Sequence, residues 1–275
     1  MNVDTVVIQI TTQCHFDCAQ CYMERGREDI PFAMACSVID EARQNGAKML
    51  QITGGEPMLH PRIFDVIAYA NKNGMLSALA TSGYGLNLET IVQLQKNGLN
   101  ALCVSLNGFS KNIDKKSRDS HAPAINAIEI TKNINFFKFI NFVARKDNID
   151  DLEKLIGFAY QNNISGINIL NNIENFKGEL NSGPDENGLN KLAALIKKHP
   201  GFLNVEHCYF RLQKLINSET KIQCDALVST YFVNVDGSYS PCSKTLYLKR
   251  KTLSGLYKVS RDFQNNCYAN NQSPS

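Results

Sequence analysis

No apolar stretch in the 275-residue sequence approaches the roughly 18 residues of a membrane span. No run of lysine and arginine resembles a nucleic-acid arm, and a net charge of only +3 points to no acidic partner. The opening MNVDTVVIQI lacks the basic start and small-residue cleavage site of a secretory signal. There is no internal repeat. These absences set aside membrane, nucleic-acid and secreted classes and place the chain in the cytoplasm, where thiols stay reduced. Against them stands one excess, nine cysteines. The odd number argues against a full disulfide framework and for metal or redox chemistry.

With 43% hydrophobic residues the chain can bury a substantial core, as one large α/β domain or a main domain with an appendage. Short β-branched or apolar runs at 3–10, 49–53, 77–81, 101–107, 139–144 and 166–170 read as strands. Helical patterns at 31–45, 61–73, 89–97, 123–133 and 149–162 lie between them, and the first three stop at Gly46, Gly74 and Gly98. Alternation of this kind predicts a parallel sheet covered by helices. Six strands are too few for a complete eightfold barrel, so an open, partial barrel is expected.

After residue 171 the pattern changes. Residues 171–184 are rich in Asn and Gly and read as an irregular crossing, followed by helices at 188–199 and 206–217. Asp236-Gly237 between the β-like runs 227–235 and 239–241 signals a hairpin. We therefore divide the chain at residues 1–199 and 200–275, and expect the polar tail to fray beyond Cys267.

The stretch TTQCHFDCAQCYME holds Cys14, Cys18 and Cys21 within eight positions, just past the first strand. Three thiolates so spaced can face one centre. Structural zinc wants four ligands. A disulfide would leave one thiol over, and chance is a poor account of this density. An iron–sulfur cubane held by three cysteines keeps one iron open for a substrate or cofactor.

The Cys-x3-Cys-x2-Cys loop in this setting resembles the radical S-adenosylmethionine (SAM) superfamily, and the resemblance covers about residues 3–170. It implies a partial (β/α)6 barrel. Cys14, Cys18 and Cys21 would bind three irons of a [4Fe–4S] cluster, with SAM chelating the fourth. It further implies one-electron cleavage of SAM to methionine and a 5′-deoxyadenosyl radical. Gly54-Gly55-Glu56-Pro57, directly after the second strand, resembles the family's GGEP motif. There the glycines would let backbone approach a ligand closely. The Glu56 carboxylate and backbone carbonyls would accept hydrogen bonds from the SAM ammonium. The family usually carries an aromatic residue before the third cysteine. Here that position is Gln20, which leaves adenine to the Gln20 stem, to backbone or to Tyr22.

The ends of the third and fourth strands carry Ser82, Ser105 and Asn107, which the resemblance assigns to the SAM carboxylate and ribose. Asn107 stands where the family often has Asp. Asn148 matches a recurring family Asn and is read first as a helix N-cap, then as a SAM contact. His60 reads as a surface loop residue. Cys103 shares a face with Ser105 one layer deeper. Its thiol could give a hydrogen atom to a substrate radical, although buried cysteines commonly only fill space. Cys36 reads as a packing residue.

Cys208, Cys224, Cys242 and Cys267 form a second set. Gly237-x4-Cys242 resembles the SPASM/Twitch extension of many radical SAM enzymes. Four cysteines fit the shorter Twitch form with one auxiliary [4Fe–4S] cluster, ligated by Cys224, Cys242 and Cys267, with Cys208 as a fourth ligand or an iron left open for a substrate. The resemblance implies modification of a ribosomal peptide, by cross-linking or epimerisation, in natural-product biosynthesis. The alternative is a small-molecule dehydrogenase or epimerase of the aminocyclitol or sugar type. A non-catalytic metal-binding protein is a distant third. It also implies a flavodoxin- or ferredoxin-type reductant. Since the chain opens at the first strand, a peptide-recognition domain would be a separate protein.

Overall fold

The computed structural model describes residues 3–172, 183–217, 224–245 and 248–258. Most of the 171–184 crossing, and all of Cys267 and the tail, lie outside the described residues. Six strands alternate with helices as the sequence predicts: β1 (Thr5–Gln9), β2 (Met49–Thr53), β3 (Leu76–Thr81), β4 (Ala101–Ser105), β5 (Phe137–Val143) and β6 (Gly166–Leu170). The helices between them are α1 (Phe32–Gln44), α2 (Ile63–Lys72), α3 (Leu88–Lys96), the short α4 (Lys111–Asp114), α5 (His121–Ile130) and α6 (Leu152–Gln161). Then come α7 (Glu186–Lys198), β7 (Leu203–Val205), α8 (Phe210–Ile216), β8 (Thr230–Val233), β9 (Tyr239–Ser240) and α9 (Leu253–Tyr257).

All described strands belong to one sheet, ordered β7-β6-β5-β4-β3-β2-β1-β8-β9. Every pairing is parallel except β8 with β9. Among the described residues its two end strands, β7 and β9, do not pair with each other, so the sheet is an open partial barrel. The segment after residue 200 extends this sheet at both edges. Of the run expected as helix 206–217, Phe210–Ile216 is helical, and just before it Leu203–Val205, not expected as a strand, pairs with β6 as β7. The Asp236-Gly237 hairpin forms, with Phe232 opposite Ser240.

Burial alternates along the strands. Ile8, Ile52, Leu79, Leu102, Ile140 and Ile167 have no exposure and pack under the helices. Truncating one of them to alanine costs about 2–5 kcal/mol. Their neighbours Val7, Gln51, Ala80, Ser105, Asn141 and Asn168 are only partly buried and line the opposite, inner face. The helices stop where the sequence places glycine, since Gly46, Gly74 and Gly98 have φ of 95°, 72° and 92°. The capping box of α3 is complete, with Asn87 Oδ1 accepting from Thr90 N at 2.9 Å and Thr90 Oγ1 from Asn87 N at 2.8 Å. No helix among the described residues is long and apolar enough to cross a membrane.

Candidate active site at the mouth of the barrel

The Cys14–Cys21 loop leaves the C-terminal end of β1, where parallel α/β folds present their ligands. Its entry is fixed by backbone. Glu56 N donates to Gln13 O at 2.7 Å and Gly55 N to Thr11 O at 2.8 Å. The segment behind it is held by Thr12 N, which donates to Glu28 O at 2.9 Å, and by the Gln13 amide on the Asp29 carboxylate at 2.9 and 3.0 Å. A Cβ on Gly55 would stand 2.1 Å from Gln13 O, and one on Gly54 2.7 Å from Thr11 O. The two glycines therefore serve close approach of the chain's own β1 exit.

The three thiols are neighbours. Burial pushes the Cys14 thiol up, the Phe16 N–H opposes this, and Glu56, Cys18 and Cys21 add to it. Burial likewise raises Cys18, and the Arg118 cation opposes it. Thiols held protonated in this way ionise when a metal ion replaces the proton. Among the described residues no three His, Cys, Asp or Glu side chains stand close enough to grip a metal ion. The sulfurs thus share one loop and one electrostatic neighbourhood without forming a closed cage. As a donor set, three soft thiols suit a cluster with one open corner.

Glu56 has no exposure, and its carboxylate accepts from Thr81 Oγ1 at 2.7 Å, Ser82 N at 2.8 Å, Met58 N at 3.2 Å and the Ser82 hydroxyl. Burial raises its acid range despite these donors. It is a strut between the ends of β2 and β3, and Ser82 spends its hydroxyl on that strut. Pro57 is buried at the start of the 3-10 turn that follows. His60 is 3% exposed, with Nε2 at 3.0 Å from Ile30 O and Nδ1 accepting from Arg62 N at 3.2 Å. It is a core connector, which corrects its reading as a surface residue.

Asn107 also has no exposure. Its Nδ2 donates to Gln20 Oε1 and, at 2.9 Å, to Ser117 Oγ, while its Oδ1 accepts from Val143 N at 2.9 Å. Gln20 of the cysteine loop is thereby tied to the barrel rim. Asn148 sits at an N-cap position but makes no capping bond. It accepts from Arg145 N at 2.8 Å and donates to Asn107 O at 3.0 Å and Val143 O at 2.9 Å. The cap reading is corrected: the side chain braces the end of β5. Ser105 lies partly exposed on the inner face, and Cys103 below it is 8% exposed, level with Ala80 and Phe139. Burial pushes the Cys103 thiol up to about 12.

Sequence reasoning missed three features. Arg118 stands beside Cys18 with Nε buried and unpartnered. The fully buried Arg145 donates to Ser117 and pairs with Asp147 at 2.7 Å. Tyr84 rests its ring on His15 at 4.3 Å and Phe16 at 5.9 Å, supplying an aromatic group near the loop that position 20 lacks. An arginine in SKNIDKKSRDS looks like one more solvent charge in a basic stretch, so nothing local flags Arg118.

The second cysteine set is partly gathered. Cys208, Cys224 and Cys242 pack with Phe210 and Leu248 against buried Ala226. Lys244 Nζ donates to Cys208 Sγ at 2.8 Å and Glu206 Oε2 at 2.6 Å. Burial and Glu206 push Cys208 up to about 12, with Lys244 opposing. Tyr22 of the first loop reaches this region through Ser243, and burial lifts its phenol to about 12. The two cysteine sets therefore meet across Tyr22.

An open parallel barrel with a three-thiol loop at its mouth, backed by Gly-Gly-Glu-Pro, defines a class of cluster-dependent enzymes. The model of the Radical SAM superfamily matches residues 8–159, and the chain belongs to that superfamily. Membership implies a [4Fe–4S] cluster and SAM as cofactors. Solved structures similar to it include SuiB from Streptococcus suis bound to precursor peptide SuiA, with a TM-score of 0.79. That pair is 17% identical over 99% of this chain and 67% of SuiB. Native anSMEcpe with bound AdoMet matches at TM-score 0.70, with 15% identity over 98% of this chain and 82% of that one. Methylornithine synthase (PylB) matches at 0.64, with 12% identity over 94% and 81%. At these identities the likeness is one of fold.

Proposed function

We propose that this radical SAM protein modifies a ribosomally made peptide by hydrogen-atom abstraction, forming a cross-link or an epimerised residue. The observation that carries the chemistry is the three-thiol loop seated on the Gly-Gly-Glu-Pro turn at the mouth of an open, partly polar lumen. When bound, the cluster and SAM supply one-electron cleavage of SAM to methionine and a 5′-deoxyadenosyl radical. Cys14, Cys18 and Cys21 would hold the cluster. Glu56 keeps the ends of β2 and β3 together, and Asn107 and Asn148 hold Gln20 and the end of β5 in place. The Gly-Gly-Glu-Pro backbone, Ser105 and Tyr22 are the SAM-facing candidates, joined by Arg118, whose cation suits the SAM carboxylate. Cys103, on the inner face below Ser105, is the candidate thiol for returning a hydrogen atom to a substrate radical.

The peptide assignment is supported by the similarity to SuiB, solved with its precursor peptide, and to anSMEcpe, solved with the Kp18Cys peptide. Cys208, Cys224 and Cys242 packed about Ala226 support one auxiliary [4Fe–4S] cluster, with Cys267 as the further ligand. A flavodoxin- or ferredoxin-type protein would deliver the electron. The test is label transfer under reducing, anaerobic conditions, using a peptide encoded beside the gene and perdeuterated at its candidate residue. Deuterium in the 5′-deoxyadenosine supports the reading. Transfer only from a deuterated aminocyclitol or sugar would replace it with the small-molecule alternative.

A further inference from the structure

The inner wall of the barrel carries an ordered polar row, three asparagine amides continuing across the sheet from Ser105, and the three asparagines have no part in the cofactor site described above. Ser105 on β4 pairs in register with Asn141 on β5, Asn141 with Asn168 on β6, and Asn168 with Asn204 on β7. In-register residues on adjacent strands point to the same face, so the four side chains share the inner side of the sheet. Asn141 and Asn168 are partly exposed and Asn204 is exposed, whereas their strand neighbours Ile140, Phe142, Ile167 and Ile169 have no exposure.

The hydrogen bonding of the row is half complete. Asn168 Nδ2 donates to Asn141 Oδ1 at 2.9 Å. Among the described residues, Asn141 Nδ2 and Asn168 Oδ1 have no further partner. One amide donor and one amide acceptor are thus fixed side by side and turned to the lumen. The layer beside the row is small at three of its positions, Ala80, Cys103 and Gly166, and carries one ring, Phe139 next to Asn141, which offers an extended chain an apolar rest along the row.

The geometry points to this row as the grip for the backbone of an extended peptide, an inference that rests on the peptide reading above. A peptide group both donates and accepts, as the Asn141–Asn168 pair requires. Strands about 4.8 Å apart give the four positions a span of roughly 14 Å, about the length of four extended residues at ~3.3 Å each. A single sugar or cyclitol ring is shorter than that span. Held there, a substrate lies above Cys103 and within the sheet whose strand ends carry the cysteine loop. Ser105, one of the SAM-facing candidates, stands at one end of the row.

The test uses the anaerobically reconstituted holoenzyme with SAM and an mRNA-displayed library of random twelve-residue peptides. The strongest binder is then N-methylated one bond at a time, and its affinity is measured by fluorescence anisotropy for wild type, Asn168→Ala and Asn168→Asp. The expected result is one bond at which N-methylation weakens wild-type binding at least tenfold. That penalty falls below twofold in Asn168→Ala and persists in Asn168→Asp, which keeps the acceptor and controls for folding. An equal penalty in wild type and Asn168→Ala overturns the assignment. A tenfold loss of SAM affinity in Asn168→Ala, read by equilibrium dialysis, gives the row to SAM and also overturns it. If peptides bind but ignore Asn168, only this inference fails. If no peptide is retained, the peptide reading fails and takes this one with it.

Discussion

Replacing Gly55 with alanine should dislodge the cysteine loop without touching a cysteine. The added Cβ would lie 2.1 Å from Gln13 O, 2.7 Å from Gln13 C and 2.9 Å from Thr12 O. All three are backbone atoms, so no side chain can swing aside. The closest approach is more than ~1 Å inside ordinary contact, and relieving it lifts residues 12–13 away from the turn. That movement breaks the 2.7 Å bond from Glu56 N to Gln13 O, which contributes about 1 kcal/mol. Overpacking adds about 1–3 kcal/mol. The sum, roughly 2–4 kcal/mol, should lower the Tm of the cluster-free protein by about 5–12 °C in a chain of this size. The displaced loop begins one residue before Cys14, so iron bound after reconstitution should fall in parallel. Calorimetry and iron determination on Gly55→Ala check both. A Tm within about 1 °C of wild type, with full iron, would refute the close-approach argument.

Asn107→Ala leaves Val143 N without its 2.9 Å acceptor and releases Gln20 and Ser117, so the urea midpoint should drop by the equivalent of about 2–4 kcal/mol; an unchanged midpoint contradicts the hub. Cys103→Ala should cost about 1 kcal/mol of stability. If Cys103 returns the hydrogen atom, SAM cleavage persists while product is lost; retained product makes the residue a filler. Reconstituted wild type should hold about eight irons and the Cys14/Cys18/Cys21→Ala variant about four, as two cubanes require. A variant with none would make the region after residue 200 metal-free.

The alternation of strands and helices was legible because each element obeys its own period and the first three helices stop at Gly46, Gly74 and Gly98. The edge at β7 was not. Leu203–Val205 is too short to outweigh the helical pattern after it, and only pairing with β6 makes it a strand. The cysteine loop and Gly-Gly-Glu-Pro were legible as motifs, but their internal roles were not. Glu56 reads as a ligand-binding carboxylate until Thr81 and Ser82, 25 and 26 residues away, are brought onto it. His60 and Asn148 likewise depend on partners that only the fold supplies. The amide row across β4–β7 is invisible along the chain, because its members are separated by whole βα units and meet only through register.

The most direct test of the account is SAM cleavage by the anaerobically reconstituted, dithionite-reduced protein. The account predicts 5′-deoxyadenosine and methionine in equal amounts from wild type and neither from Cys14→Ala. A fully iron-loaded wild type that forms no 5′-deoxyadenosine, or a Cys14→Ala variant that still forms it, would contradict it.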